Sequence, residues 1–166
     1  NSPLFILRSR FITVSSAFFA VDSANALSSL VLFAMSTASL AIETASAAGA
    51  ERLVLCDTNG GVLPSELINI MKQLPAERLS PLGVHFHNDC GTAVANSLLA
   101  LDYGAMHIQG TVNGWGERCG NANLCTLAPN ICLKSDYTAN IASEIDKITM
   151  LSRYVYEMAN IIPEKR

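Results

Sequence analysis

The feature that most constrains this chain is a regular alternation of short apolar runs and amphipathic segments, which starts at about residue 41. The runs "LVLC" (53–56), "LGVHFH" (82–87) and "MHIQGTVNG" (106–114) read as strands, and a helix-like segment follows each of them. Alternation at this spacing predicts parallel βαβ units. In such folds ligands bind beyond the carboxyl ends of the strands.

The segments between the strands carry helical signals. Helices are predicted over residues 41–52, 64–74, 92–105, 121–133 and 142–162. We expect Gly49 to end the first helix as its C-cap, and Pro129 to limit the fourth. In the third helix, Val94, Leu98 and Leu101 share one face.

Residues 1–40 differ from the rest, because they are rich in serine, alanine and phenylalanine and carry few charges. The uncharged stretch 23–42 is long enough to span a bilayer, but its hydroxyl side chains dilute its hydropathy. The first 20 residues contain arginine and serine without an acid, a weak sign of organelle targeting. We favour a helix–loop piece of a larger buried domain or diverged sequence, and leave 1–40 unassigned.

Charge and cysteine content restrict the partners. The net charge is −3 and the basic residues form no runs, which argues against nucleic acid or an anionic membrane as a partner. The five cysteines are odd in number and include no C-x-x-C pair, so we expect a reducing compartment and no disulfide framework. Cys56, Cys90 and Cys119 are interpreted as small buried residues.

Polar side chains concentrate where the predicted strands end. Asp57 and Thr58 follow the first strand, and His85 and His87 close the second. The two histidines are two residues apart on a strand, so both point to one face while Phe86 points to the covering helices. Two convergent imidazoles are half of a binding site for a divalent metal ion.

These polar residues also have interpretations that involve no site. The two histidines can form an ordinary hydrogen-bonded pair. Asp89 can be a third ligand, but we favour an acceptor that orients a histidine or a cap of the following helix. Glu117 and Arg118 can be a solvated ion pair, although their place in a glycine-rich turn after a strand favours function. His107 is expected to be a core or surface histidine, and the glycine pattern predicts no nucleotide site.

Four segments, "LVLCDTNGGVLPSE", "GVHFHNDCGTAVANSLLAL", "GA" and "QGTVNGWGERCGNANL", closely resemble the family of 2-isopropylmalate, homocitrate and citramalate synthases. The resemblance runs from about residue 41 to about residue 160, and it is strongest for the citramalate branch. It implies an α/β fold, a partial (β/α)8 TIM barrel of which the last three β/α units are recognisable. Residues 41–166 would be the C-terminal part of an HMGL-like, pyruvate carboxyltransferase-like domain.

The same resemblance assigns roles to seven residues. The metal would be a divalent ion, Zn, Mn, Mg or Co. Thr58 matches the residue that binds the carboxylate of a 2-oxo acid. The implied metal ligands are His85, His87 and Asn121, the implied catalytic residue is Glu117, and the implied substrate-binding residues are Thr58, Asp57 and Asn88.

The implied activity is that of an acyltransferase, a Claisen-type condensation of acetyl-CoA with a 2-oxo acid. Conversion of pyruvate to citramalate, in branched-chain amino-acid biosynthesis, is favoured, and 2-isopropylmalate or homocitrate synthesis is the alternative. The resemblance also implies a cytoplasmic homodimer. The family's first strand carries an Arg-Asp-Gly motif whose Asp is a further metal ligand, and this motif is not found in this sequence. An inactive half-barrel that only binds or assembles is therefore a third hypothesis.

Overall fold

The computed structural model describes residues 11–15, 40–45, 47, 48, 50, 52–74 and 82–163. Its four strands form one parallel sheet in the order β1-β2-β3-β4. The strands are β1 Phe11–Ser15, β2 Arg52–Asp57, β3 Leu82–Phe86 and β4 His107–Gln109. The helices are α1 Pro64–Gln73, α2 Ala93–Asp102, α3 Leu124–Lys134 and α4 Ile148–Met158, and residues 40–45 are also helical.

The parallel βαβ prediction is confirmed for β2, β3 and β4. Leu55 lies beside Val84, and Val84 lies beside Ile108 on the other side. Val84 and the run 53–56 are buried, as expected of strands that are covered on both faces. Phe86 is only 1% exposed, and the rings of His85 and His87 contact each other, as predicted for two histidines on one face with Phe86 directed into the core.

Strand β1 was not predicted, because it lies in the part of the chain that the sequence left unassigned. It pairs with β2 over its whole length, from Phe11 beside Arg52 to Ser15 beside Cys56. Its aromatic and β-branched residues favour a strand. Residues 23–39 and Gly49 lie outside the described residues, so the predictions made there stay untested. None of the helices in the described ranges is long and apolar enough to cross a membrane.

The third predicted strand is shorter than expected. Regular pairing ends at Gln109, and Val112–Gly114 forms a 3₁₀ turn. The chain turns because Thr111 leaves the sheet and pairs with the segment that returns: its N–H donates to the carbonyl of Ala122 over 3.0 Å. Asn113 has a φ of 62°, which no extended strand can contain.

Several helix boundaries also differ from the prediction. Arg52, placed in the first predicted helix, begins β2, and α3 begins at Leu124 because Asn121 pairs with His87 in a backbone bridge. Pro129 lies inside α3 and does not end it, although a proline within a helix costs about 3 kcal/mol. Leu127 and Ala128 are buried, and their packing holds the helix through this position. The final helix is confined to Ile148–Met158, and Ala142–Lys147 before it forms a 3₁₀ helix.

The buried face of α2 is not the one that its large apolar residues suggested. Val94, Leu98 and Leu101 are only partly buried, and the residues that the fold covers most are Ala93, Asn96, Ser97 and Ala100. Their side chains are small or find local partners. The amide of Asn96 donates to the carbonyl of Val62 over 2.7 Å, which fixes α2 against the turn that follows β2.

Candidate metal centre

A backbone bridge joins the end of β3 to the glycine-rich loop after β4. His87 and Asn121 are partners in an isolated antiparallel bridge. Beside it, the N–H of Asn88 donates to the carbonyl of Gly120 over 2.9 Å. The bridge therefore places two of the predicted metal ligands next to each other, although they come from separate segments of the sequence.

Three buried polar atoms at this bridge lack a hydrogen-bond partner: Nδ1 of His85, Nδ1 of His87 and Oδ1 of Asn121. The two imidazole rings lie edge to face, with 5.2 Å between their centroids. The amide nitrogen of Asn121 donates to the carbonyl of Trp115 over 3.3 Å, which leaves the amide oxygen unpaired. A buried polar atom without a partner costs about 1–3 kcal/mol, so three together need an explanation. Imidazole nitrogens and an amide oxygen are kinds of atom that can bind a divalent cation.

The donor set is specific in its chemistry. The part of the chain that the structure describes contains no group of three or more His, Cys, Asp or Glu side chains placed to hold a metal ion. The candidate centre therefore combines two imidazole nitrogens with the amide oxygen of Asn121. Such mixed nitrogen and oxygen donors suit divalent ions. Among the residues that the structure describes, a fourth buried polar atom without a hydrogen-bond partner is Oδ1 of Asn96, on α2.

The turn after β2 is fixed by Asp57. Its buried carboxylate accepts hydrogen bonds from the N–H of Val62 over 3.0 Å and of Gly61 over 3.4 Å. Its backbone carbonyl accepts one from the N–H of His87 over 3.3 Å. Asp57 thus supports the turn from within and ties it to β3. Thr58, the next residue, is exposed at the same end of the sheet.

The turn after β3 differs from the expectation at Asp89. Asp89 is not the cap of the following helix: Thr92 is its N-cap residue, and Oδ1 of Asn88 accepts from the N–H of Ala93, the first helical residue, over 3.2 Å. Asp89 forms an ion pair with Arg118, with 2.9 Å between its Oδ1 and Nε of the guanidinium. Hydrogen bonding from Arg118 lowers the pKa of the Asp89 carboxyl. Both carboxylate oxygens of Asp89 accept hydrogen bonds from Arg118.

Glu117 lies at the exposed outer side of the glycine-rich loop. Its Oε1 is 3.0 Å from Nη1 of Arg118, so the pair that the sequence suggested is present. The larger set of contacts made by Arg118, with Asp89 and with the carbonyl of Thr58, was missed. No spacing rule connects residues this far apart in the chain, and the only signal was that all three follow strand ends.

A cleft of about 490 Å³ opens beside the bridge. Asn88 and Asn121 lie in its lining together with Trp115 and Tyr156, whose rings meet edge to face at 5.0 Å. Through Tyr156, helix α4 forms one wall of the cleft. The amphipathic pattern of α4 predicted a helix but not its place beside the site, because that place depends on contacts with the glycine-rich loop.

The cysteines near the site were predicted to be buried, and this is correct only for Cys56. Burial raises the pKa of the Cys56 thiol. Cys90 and Cys119 are exposed. Both lie in turns beyond the strand ends, where none of the helices that the structure describes covers the chain. Their position, and not their small size, decides their exposure.

The pKa of His85 provides a test of this geometry. Burial lowers it from the ordinary value of 6.5, the neighbouring His87 acts in the same direction, and a hydrogen bond with Gln109 opposes both. We expect His87→Ala to raise the pKa of His85, but to leave it below 6.5 because burial, the larger cause, remains. The pH titration of the imidazole NMR signals measures this change.

The same shift predicts how stability depends on pH in the metal-free chain. Because the folded-state pKa is lowered, the contribution of His85 is complete above its unfolded-state value of about 6.5 and is lost as the pH falls through the lowered value. The urea midpoint of the chain should therefore fall more between about pH 7.5 and about pH 5 than that of His85→Gln. Equal falls would show that His85 titrates normally.

The chain matches a known family. The model of the HMGL-like family covers residues 26–155, which include every candidate site residue described above. The chain belongs to the HMGL-like family. The resemblance drawn from the sequence is therefore confirmed, and the match begins upstream of residue 41, where the resemblance became readable.

Among HMGL-like proteins the chain is similar to several relatives named (R)-citramalate synthase. It is 50% identical to the one from Synechocystis sp. over 131 residues, 74% of this chain and 24% of that protein. It is 48% identical to the one from Geobacter sulfurreducens over 124 residues, 75% of this chain and 24% of that protein. A protein of Methanosarcina acetivorans named "Probable 2-isopropylmalate synthase" is 38% identical over 109 residues, 64% of this chain and 21% of that protein. The chain thus spans about a quarter of the length of these relatives.

Solved structures share the fold of this HMGL-like chain. The carboxyl transferase domain of Rhizobium etli pyruvate carboxylase superposes with a TM-score of 0.70 at 18% identity, over 89% of this chain and 24% of that chain. An HMG-CoA lyase of Bacillus subtilis superposes with a TM-score of 0.64 at 20% identity, over 95% of this chain and 52% of that chain. At these identities the likeness concerns the fold alone.

Proposed function

We propose that β1 to β4 are consecutive strands of a (β/α)8 barrel, and that residues 41–166 carry its last three β/α units as the C-terminal part of a pyruvate carboxyltransferase-like domain. The strands support this, because they follow each other through the sheet in sequence order and are all parallel. A whole barrel takes about 250 residues, more than this chain contains.

The activity that we propose for such a barrel is a divalent-metal-dependent condensation of acetyl-CoA with a 2-oxo acid. The observation that carries the proposal is the set of three unpaired buried atoms on His85, His87 and Asn121. These three residues would hold the ion. When bound, the ion would act as a Lewis acid on the keto group of the 2-oxo acid. The lowered pKa of His85 keeps its imidazole in the neutral form that binds metal.

The remaining site residues would bind and orient the substrates. Thr58 is exposed after β2, at the same end of the sheet, and its hydroxyl would donate to the carboxylate of the 2-oxo acid. Asp57 and Asn88 would keep the two turns that carry Thr58 and His87 in place, through the hydrogen bonds described above. Glu117, at the exposed side of the loop, would accept the methyl proton of acetyl-CoA. The resulting enolate would attack the ketone, and hydrolysis of the thioester would release CoA.

Pyruvate is the 2-oxo acid that we favour, with citramalate as the product. Its support comes from the relatives, since the most similar of those described above are named (R)-citramalate synthase at 48–50% identity. A bulkier 2-oxo acid is the second candidate, because one relative at 38% identity is named a 2-isopropylmalate synthase.

A substitution that replaces no proposed ligand should still weaken metal binding. A Cβ added at Gly116 would lie 2.0 Å from the amide nitrogen of Asn121, so Gly116→Ala must displace that side chain. We expect its affinity for Mn²⁺ to fall by about tenfold or more, the effect typical of changes that disturb a ligand's support. Calorimetry measures this. Gly61→Ala is the control, because an added Cβ there meets nothing within 4 Å.

A chimera tests the proposed activity. In the Synechocystis relative, the segment that matches this chain is replaced by the residues of this chain that align with it. We expect release of CoA from acetyl-CoA with pyruvate, dependent on a divalent ion and abolished by His87→Ala. Faster release with 2-oxoisovalerate or 2-oxoglutarate would favour the isopropylmalate or homocitrate reaction instead.

The same assay separates the non-enzymatic alternative. A chimera that is folded and binds Mn²⁺ but releases no CoA with any of these acids would contradict the proposed activity. It would support the reading in which this chain keeps the metal-binding motif and only binds or assembles. The chain alone, assayed in parallel, shows whether the residues that it contains are sufficient.

A further inference from the structure

We infer that Arg118 is a positioning residue, which fixes the relative positions of the three turns at the site. These turns are the β2 turn (57–62), the β3 turn (87–91) and the glycine-rich loop (113–121). The effect of Arg118 on metal binding rests on the function proposed above. Its effect on the turns does not.

The contacts of the Arg118 guanidinium reach all three turns. Nε and Nη2 donate to the two carboxylate oxygens of Asp89 over 2.9 and 3.1 Å, and Nη2 also donates to the backbone carbonyl of Thr58 over 2.7 Å. Nη1 donates to Glu117 over 3.0 Å in its own loop. A planar guanidinium can donate in all these directions at once, whereas the ammonium of a lysine is a single point of charge.

The backbone around Arg118 is shaped for these contacts. Arg118 has a φ of 54°, in the left-handed region that residues other than glycine rarely adopt. Opposite it, a Cβ at Gly60 would lie 2.3 Å from Oδ2 of Asp89, so only glycine lets the β2 turn approach the carboxylate this closely. Arg118 has a strained backbone, and Gly60 approaches its partner Asp89 closely. Together they indicate that the surrounding fold maintains this ion pair.

The contacts position residues that the proposed function uses. Thr58 is held through its own carbonyl, and Asp89 is two residues from His87 in the chain. Asn121 lies three residues beyond Arg118, so one side chain links the segments that carry the proposed substrate contact and the proposed ligands. The ion pair also holds the Asp89 carboxylate on Arg118. This predicts that Asp89 is a structural partner and not a fourth ligand.

Hydrogen exchange of the chain without metal or substrate tests the link between the turns. The amide of Cys90 donates to the carbonyl of Gly60 over 3.0 Å, and the amide of Asn88 donates to that of Gly120 over 2.9 Å, so both report on contacts between turns. We expect Arg118→Ala to speed exchange at both amides by about tenfold or more, and Arg118→Lys to restore only part of the protection. The amide of Val84, within β3, should not change.

A double-mutant comparison makes the test specific to the ion pair. Asp89→Asn should speed exchange at the same two amides, and Arg118→Ala combined with Asp89→Asn should have no more effect than Arg118→Ala alone. Unchanged exchange at Cys90 and Asn88 in Arg118→Ala would overturn the inference. Additive effects of the two substitutions would overturn it as well.

Metal affinity is the second readout. Arg118→Ala should weaken Mn²⁺ binding by about tenfold, although Arg118 supplies no ligand. The combination with Asp89→Asn should bind as tightly as Arg118→Ala alone, which excludes the released carboxylate as a new ligand, since its loss would otherwise weaken binding further. Arg153→Ala on α4 is the matched control, and its affinity should equal that of the unchanged chain. If the unchanged chain binds no Mn²⁺, the proposed function fails, while the exchange experiment still decides the role of Arg118.

Discussion

Replacing both His85 and His87 with alanine is expected to lower the affinity for Mn²⁺ or Zn²⁺ by more than about a hundredfold. Residues that only support a metal ligand typically account for 10–100-fold in affinity, and these two imidazoles are proposed to be ligands themselves. Calorimetry gives the affinity, and circular dichroism on the same samples shows that the chain is folded.

The double variant should also be at least as stable as the unchanged chain when no metal is present. Each substitution removes a buried nitrogen that has no partner, and such an atom costs about 1–3 kcal/mol. Urea unfolding measures this. A large loss of stability would mean that the histidines are structural, and unchanged metal affinity would mean that the ion binds elsewhere.

Phe86→Ala, between the two histidines, is expected to lower the stability of the chain strongly, unlike the two histidine substitutions. Phe86 is buried at 1% exposure in the core, and truncation of a buried phenylalanine costs about 3–5 kcal/mol. Since small domains have about 5–15 kcal/mol of stability in total, this change should remove a large part of the free energy of unfolding. The free energy of unfolding in urea is the measurement.

Met106→Ala is the control for that prediction. Met106 is 79% exposed just before β4, so its truncation should change stability by no more than about 0.5 kcal/mol. A Phe86→Ala chain as stable as the control would contradict the burial of this face of β3. Neighbouring positions on one strand would then not divide between the core and the site.

The sequence predicted the part of the fold that depends on short-range patterns. Three strands, their parallel pairing and the alternation of His85, Phe86 and His87 all follow from apolar periodicity, and the structure confirms them. Strand β1 was missed because its signal is five residues long and lies in a segment of different composition.

The predictions that were wrong concern positions where tertiary contacts decide the local conformation. Pro129 did not end α3, because burial of Leu127 and Ala128 outweighs its local cost. The strand predicted to run to residue 114 ends at Gln109, because the returning loop offers Thr111 a better partner. Neither effect can be read from a window of sequence.

For the site, the resemblance named residues that the structure does bring to one end of the sheet. His85, His87 and Asn121 meet at a single backbone bridge. Their roles as ligands, and those of Glu117, Thr58, Asp57 and Asn88, stay predictions. The ion pair of Asp89 with Arg118 was not predicted, because it depends on how far each turn projects beyond its strand.

The proposed metal site requires that one divalent ion binds His85 and His87 together. The most direct test is a Zn²⁺ titration followed through the imidazole NMR signals of the chain's three histidines. We expect the signals of His85 and His87 to shift together and to stop shifting at one equivalent, while those of His107 in β4 do not move. Shifts of all three signals without saturation, or no shift at His85 and His87, would contradict it.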